Sequence, residues 1–224
     1  IGKNDYTISI IKDNAVEKKF KIPKCEPVSI AQDMEGGLWV LDGDSESVML
    51  VDTEGNILRK FGSGGSKEGY LSNPTDLVIS RKGVVFIADR GNKRIQAFNS
   101  SGLFLQAIGK DKGKELIQSP IAIALDHLDM IYVLDGDDKK VTVFTPNGAM
   151  VAKFGGETVF DTPVGIAVTE SEIFVLDKAT SEIKVFTKEG KFSRKFIARG
   201  SREGDLYDPT SLAIRDEIEL VVRD

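Results

Sequence analysis

Two carboxylate clusters are the first residues in this sequence with the means to do chemistry. Asp42-Gly43-Asp44 with Glu46, and Asp135-Gly136-Asp137-Asp138, crowd oxygen ligands into short segments, as hard cations such as Ca²⁺ require. Asp42, Asp44, Asp135 and Asp137 are therefore candidate metal ligands. No bidentate Glu follows at the spacing of a calcium loop, however. An Asp also recurs along the whole chain, at Asp42, Asp89, Asp135, Asp177 and Asp224. Such a recurrence gives it an architectural role, in which the carboxylate accepts hydrogen bonds from backbone N–H groups of a turn. Capping is the expectation, and no metal or other cofactor is expected.

The remaining candidates are single. His127 is the one histidine, in the turn Asp126-His127-Leu128-Asp129 with no serine nearby, so it lacks the partners of a nucleophilic triad and reads as an exposed turn residue. Cys25, the one cysteine, excludes an internal disulfide and reads as a partly buried structural thiol. Gly62-Ser63-Gly64-Gly65-Ser66-Lys67 is rich in glycine, but a phosphate cradle needs that turn to open a helix. Here Pro74 and a strand follow, and a similar segment returns at Arg199-Gly200-Ser201-Arg202-Glu203-Gly204. Asp76 stands where the other units have small residues (Ser29, Ala122, Gly165, Ser211) and is expected to be a solvated residue of a central channel.

These residues are carried by a repeat. A proline opens each unit at Pro27, Pro74, Pro120, Pro163 and Pro209, and the recurrent Asp follows 14 or 15 positions later. Next come an apolar residue (Val51, Phe98, Phe144, Phe186), a turn glycine (Gly55, Gly102, Gly148, Gly190) and another apolar residue (Phe61, Ile108, Phe154, Phe196). Short runs such as Leu77-Val78-Ile79 and Ile131-Tyr132-Val133-Leu134 are β-branched or aromatic and bounded by turn residues, the strand signature. No window has sustained helical spacing, so no helix longer than a turn is expected. Four strands in 40 to 50 residues is the arithmetic of a β-propeller blade.

Asp89-Arg90-Gly91-Asn92-Lys93-Arg94-Ile95-Gln96-Ala97-Phe98 resembles the core of an NHL repeat, D-x-x-N-x-R-I-x-x-F after a strand. The segment Phe61 to Pro74 resembles that family's connection between blades. The resemblance extends over nearly the whole chain and implies an all-β, NHL-type propeller of four-stranded antiparallel blades. Only the second unit carries the full signature; where it has Arg94 the others have Ser47, Lys140 and Glu182. Relatives with lyase activity place several histidines around a central metal, a set that His127 alone cannot build.

Four full blades (27–61, 74–108, 120–154 and 163–196) are flanked by a half-blade at 5–22 and another at 209–224, in one domain. The halves are complementary, so five blade-equivalents are countable, with Leu220-Val221-Val222 expected to pair with Thr7 to Ile11. A six-bladed ring with one blade missing is the alternative. The chain begins with Ile, which reads as an excerpt or a processed product, and no apolar run is long enough to span a bilayer. Compartment is not specified.

Net charge is −5 and the sequence pI about 5.2. Basic residues alternate with acidic ones in the same loops, which argues against a nucleic-acid surface. The expected function is a non-enzymatic scaffold that presents a loop face to a protein partner or extracellular ligand. Loops after strands two and four fall on one side of a propeller, giving Asp44, Glu46, Arg90, Lys93, Arg94, Asp137, Asp138 and Lys178 as binding candidates, with 62–73 and 197–208. The competing readings are an RNA-binding propeller and a metal-dependent lyase or hydrolase.

Overall fold

A computed structural model describes residues 6–12, 15–197, 210–215 and 219–223. A first hairpin joins β1 (Ile8–Lys12) to β2 (Ala15–Phe20). The first blade is β3 (Pro27–Gln32), β4 (Leu38–Asp42), β5 (Ser47–Val51) and β6 (Ile57–Phe61). The second is β7 (Pro74–Ile79), β8 (Val85–Asp89), β9 (Arg94–Phe98) and β10 (Phe104–Ile108), followed by the short pair β11 (Lys110–Asp111) and β12 (Lys114–Glu115). The third blade is β13 (Pro120–Leu125), β14 (Ile131–Asp135), β15 (Lys140–Phe144) and β16 (Met150–Gly155). The fourth is β17 (Pro163–Val168), β18 (Glu172–Asp177), β19 (Glu182–Thr187) and β20 (Phe192–Ile197), and β21 (Ser211–Arg215) with β22 (Glu219–Arg223) closes the series. Each blade is a four-stranded sheet in chain order. The two terminal halves are each a two-stranded sheet, β1 with β2 and β21 with β22. One 3₁₀ turn, Arg90–Asn92, is the helix among the described residues.

The spacing from Pro to Asp has a direct cause. Pro27 pairs with Asp42, Pro74 with Asp89, Pro120 with Asp135 and Pro163 with Asp177, each with a one-residue register shift just after the proline. Proline has no N–H to give a ladder and so sits at the first position of its strand, beside a bulge. The other turns are pinned by short polar side chains. Asp33, Ser80, Asp126 and Thr169 each accept a backbone N–H from within the turn that joins the first two strands of their blade. Asp52, Asn99 and Thr145 do the same between strands three and four. Such local bonds let a turn form without helix or ladder.

The chain divides into two compact units, Ile1–Asn92 with Gln96–Gln106, and Lys93–Ile95 with Ala107–Asp224. In the first, Trp39, Leu41, Val48, Leu71, Leu77, Val85, Ile87 and Phe98 form one core cluster, and Ile8, Phe20, Ile22, Cys25, Val40, Met49 and Val51 another. In the second, Tyr132, Leu134, Val141, Val143, Phe160, Ile166, Val175 and Phe186 pack together. Aromatic rings recur in register. Phe98 lies 5.0 Å from Phe61 and 5.9 Å from Phe104; Phe186 lies 5.2 Å from Phe154 and 5.8 Å from Phe192. Each buried ring contributes about 2–3 kcal/mol of transfer free energy.

Candidate functional site

Asp42, Asp89, Asp135 and Asp177 are buried, and their oxygens are occupied by the loops they anchor; the fifth recurrent aspartate, Asp224, lies outside the described residues. Asp42 accepts from the N–H groups of Glu26 and Asp44 and from the Ser45 hydroxyl. Asp89 accepts from Ser72 N, Asn92 Nδ2 and Gln96 Nε2. Asp135 accepts from four backbone N–H groups, those of Gln118, Ser119, Asp137 and Asp138. Asp177 accepts from Asp161 N, Thr162 N and Lys184 Nζ. Each carboxylate thus ties the linker before its blade to the turn after its second strand or to the strand that follows. Among the described residues, no three carboxylate, imidazole or thiol groups converge to hold a metal ion.

The turns held in this way demand an unusual backbone. Four positions after each Asp the chain is left-handed at a non-glycine residue: Glu46 (φ 48°), Lys93 (φ 55°), Lys139 (φ 50°) and Ser181 (φ 49°). A non-glycine residue in that region stores of the order of 1 kcal/mol, offset here by the buried acceptor.

A second recurrent device lies in the linkers, and sequence reasoning missed it. Leu71, Ile117 and Phe160, each three residues before an opening proline, are fully buried plugs. The glycine ending each preceding fourth strand makes room. A Cβ on Gly62, Gly109 or Gly155 would lie 3.3, 2.8 or 2.6 Å from its plug. The carbonyl just before the plug is then capped by a side chain. Gln96 donates to Tyr70 O (2.6 Å), Lys153 to Leu116 O (2.8 Å) and Lys184 to Val159 O (2.8 Å). The residue seven after Asp135 is Thr142, too short to reach that carbonyl, and its buried hydroxyl has no partner.

The binding candidates divide between the two units. In the first, Glu46 accepts from the Asn73 N–H at 2.7 Å, so its carboxylate is engaged by the 62–73 linker. Asp44 and Arg90 lie in the turns that follow β4 and β8. In the second, Lys93 donates to Glu115 (3.2 Å) and Gln118 (3.1 Å), and Asp138 accepts from Lys153 (2.8 Å). Arg94 opens β9, while Asp137 and Lys178 lie in the turns after β14 and β18. Of the linker 197–208, residues 198–208 lie outside the described residues.

Two expectations need correction. His127 is half-buried rather than exposed, and its Nδ1 is buried without a hydrogen-bond partner. Its turn packs where Asp126 accepts from the Tyr132 hydroxyl (3.0 Å) and from Lys188 (2.9 Å), whose ammonium also lies 4.5 Å from the Tyr132 ring centroid. Burial pushes the Asp126 carboxyl up, but the hydrogen bonds from Lys188, Met130 N and Leu128 N outweigh it and hold the group below the usual carboxylate range. Burial also drives the Tyr132 phenol upward, reinforced by Asp126. Asp76 is not simply solvated: it accepts from the Ser29 hydroxyl at 2.7 Å, linking the first strands of two adjacent blades.

The family model of the NHL repeat matches residues 71–98. That span runs from the plug Leu71 through the buried Asp89 to Phe98. The chain carries an NHL repeat over that span. It is 26% identical over 141 residues to the protein brain tumor of Drosophila melanogaster, covering 61% of this chain and 14% of that protein. It is 32% identical over 132 residues to the human E3 ubiquitin-protein ligase TRIM32, covering 54% of this chain and 20% of the ligase. The chain therefore matches a minor part of each relative's length. In fold it resembles virginiamycin B lyase of Staphylococcus aureus (TM-score 0.70, 16% identity, 96% of this chain and 70% of that one). It also resembles a chain of a nidogen–laminin complex (TM-score 0.72, 16% identity, 98% and 82%). At that identity the likeness is one of fold, and the fold is a β-propeller. No helix among the described residues is long and apolar enough to cross a membrane.

Proposed function

We propose that this NHL-repeat chain is a non-enzymatic binding module whose turns after the second strands, with the inter-blade linkers, engage a protein partner. The observation that carries this reading is the buried Asp of each blade. Asp135 spends its acceptors on four backbone N–H groups, so it holds two loop segments in one conformation and is not offered to a substrate. Loops ordered before binding lose little entropy on association. The charged side chains mounted on them, Arg90 in the first unit and Lys93, Asp137 and Lys178 in the second, supply electrostatic selectivity.

The test is quantitative capture by the immobilised chain, comparing the parent with a variant carrying Arg90→Glu, Lys93→Glu, Asp137→Lys and Lys178→Glu. Proteins retained by the parent and lost from the variant, with and without ribonuclease treatment, support the reading. Retention abolished by ribonuclease would replace it with RNA binding. Retention unchanged in the variant would remove the loops as the contact.

A further inference from the structure

A blade ends in an outer strand, and the open edge of such a strand is a template for another chain unless charge guards it. Most outer strands here carry that guard. β2 holds Lys18 and Lys19, β6 holds Arg59 and Lys60, β16 holds Lys153, and β20 holds Arg194 and Lys195. β10 holds none. From Leu103 to Ile108 the sequence is Leu-Phe-Leu-Gln-Ala-Ile. Among the described residues β10 is the terminal strand of its sheet, with β9 on its inner side. The two faces of the strand differ. Phe104 packs edge-on against Phe98 and lies beside Gly69 of the linker. Leu105, which strand alternation sends to the opposite face, is 48% exposed, and Leu103 just before the strand is 64% exposed. The second blade thus ends in an edge that is apolar, uncharged and open.

We propose that β10 is an interface between two copies of this chain, paired antiparallel to itself about a two-fold axis with Leu105 opposite Leu105. Symmetry and charge select this occupant. A two-fold pairing sets a strand against its own sequence. On β6 it would crowd Arg59 and Lys60 against the same two residues, and on β20 Arg194 and Lys195, and like charges destabilise a cross-strand pair. β10 has no charge to oppose. In this register Leu103 meets Ala107 of the second copy, on the same face as the central leucine pair, and Phe104 stands opposite Gln106. Lys110, the first charge past the strand, falls opposite Ser100 in an uncharged turn. The N–H and C=O groups of the two open edges then satisfy one another. A ladder of this length is a small interface, so the dimer is weak and concentration-dependent. Whatever the loops bind, pairing doubles it and strengthens the hold on a bivalent target.

Sedimentation equilibrium of the chain from about 1 µM to about 1 mM is expected to show monomer and dimer in exchange. Leu105→Lys, which sets two ammonium groups opposite each other, should raise the dissociation constant by about tenfold or more. Leu58→Lys, on β6 at a residue 63% exposed, should leave it unchanged. Both side chains already face solvent, so both variants should keep the Tm of the parent. The register has its own test. Directly opposed residues of an antiparallel pair have Cα atoms about 4.5–5.5 Å apart, within reach of a disulfide. Leu105→Cys should therefore oxidise to a covalent dimer much faster than Leu58→Cys, with Cys25 buried in both. A chain that stays monomeric over the whole range would overturn the proposal and leave the edge to some other strand. So would a dimer that Leu105→Lys does not weaken, or equal cross-linking of the two cysteine variants.

Discussion

Lys184 donates to the buried carboxylate of Asp177 at 2.6 Å, from the position where Gln96 donates to Asp89 at 2.9 Å in the second blade. One site in the repeat therefore uses an ion pair where another uses a neutral amide. Burial alone pushes the Asp177 carboxyl up; the hydrogen bond from Lys184 and those from Asp161 and Thr162 reverse this and hold it below the usual carboxylate range. A folded value below the unfolded one contributes stability that is fully present above about pH 4 and is lost as pH falls through the folded value. Lys184→Met, which leaves a buried charge without its partner, is expected to cost about 3 kcal/mol at neutral pH and to raise the midpoint of acid unfolding. Lys184→Gln should cost about 1 kcal/mol. Urea unfolding at pH 7 and an acid titration measure both, and equal costs for Met and Gln would show the charge to be irrelevant.

Asp135 is the firmest test of capping against metal binding. Its replacement by Ala orphans backbone donors in two loops, and the expected loss is about 3 kcal/mol. Calcium should leave the Tm of the parent unchanged. A rise of several degrees with calcium, abolished by Asp137→Ala, would reinstate the metal reading of the acidic turns.

Cys25 lies in the core cluster with Phe20, Ile22 and Val40. Burial, with the nearby Asp42 carboxylate, pushes its thiol up to about 12. The thiolate is the reactive species, so iodoacetamide at pH 8 should modify the native chain far more slowly than the urea-unfolded one. Alkylation at equal rates in the two states would place the thiol outside the core.

The strand order was legible because the markers repeat: Pro74 and Asp89 face each other across a hairpin, and their equivalents keep nearly the same interval. Capping by Asp135 was legible for the same reason. The plugs were not. Leu71, Ile117 and Phe160 lie in linkers of different length, so a period counted from one blade's glycine loses them, and they align only when counted back from the next proline. The residue seven after each Asp was equally opaque, because Met49, Gln96, Thr142 and Lys184 share no chemistry. What they share is a location, and only the fold supplies that. His127 was misjudged because a polar turn signals exposure, and contacts made to that turn from distant sequence, such as the ion pair of Lys188 with Asp126, are not legible locally.

The plug and its glycine give the last prediction, in which conformation and contact can be separated. Gly155 has φ +99° and Gly113 has φ +82°, so alanine at either is strained by about 1 kcal/mol or more. At Gly113 an added Cβ meets nothing within 4 Å, whereas at Gly155 it would lie 2.6 Å from the Phe160 ring and 3.0 Å from Lys139 O. The Phe160 ring is itself packed 5.5 Å from Phe186, and close-packed interiors resist such overpacking by about 1–3 kcal/mol. Gly155→Ala should therefore destabilise the chain by roughly 2–4 kcal/mol and Gly113→Ala by about 1 kcal/mol. Trimming the plug in the double variant Gly155→Ala, Phe160→Leu should recover part of the difference, because the two changes touch and are not additive. Chemical denaturation of the parent, both single glycine variants, Phe160→Leu and the double variant decides it. Equal losses at the two glycines, or strict additivity in the double variant, would show that the glycine serves the turn alone and not the plug.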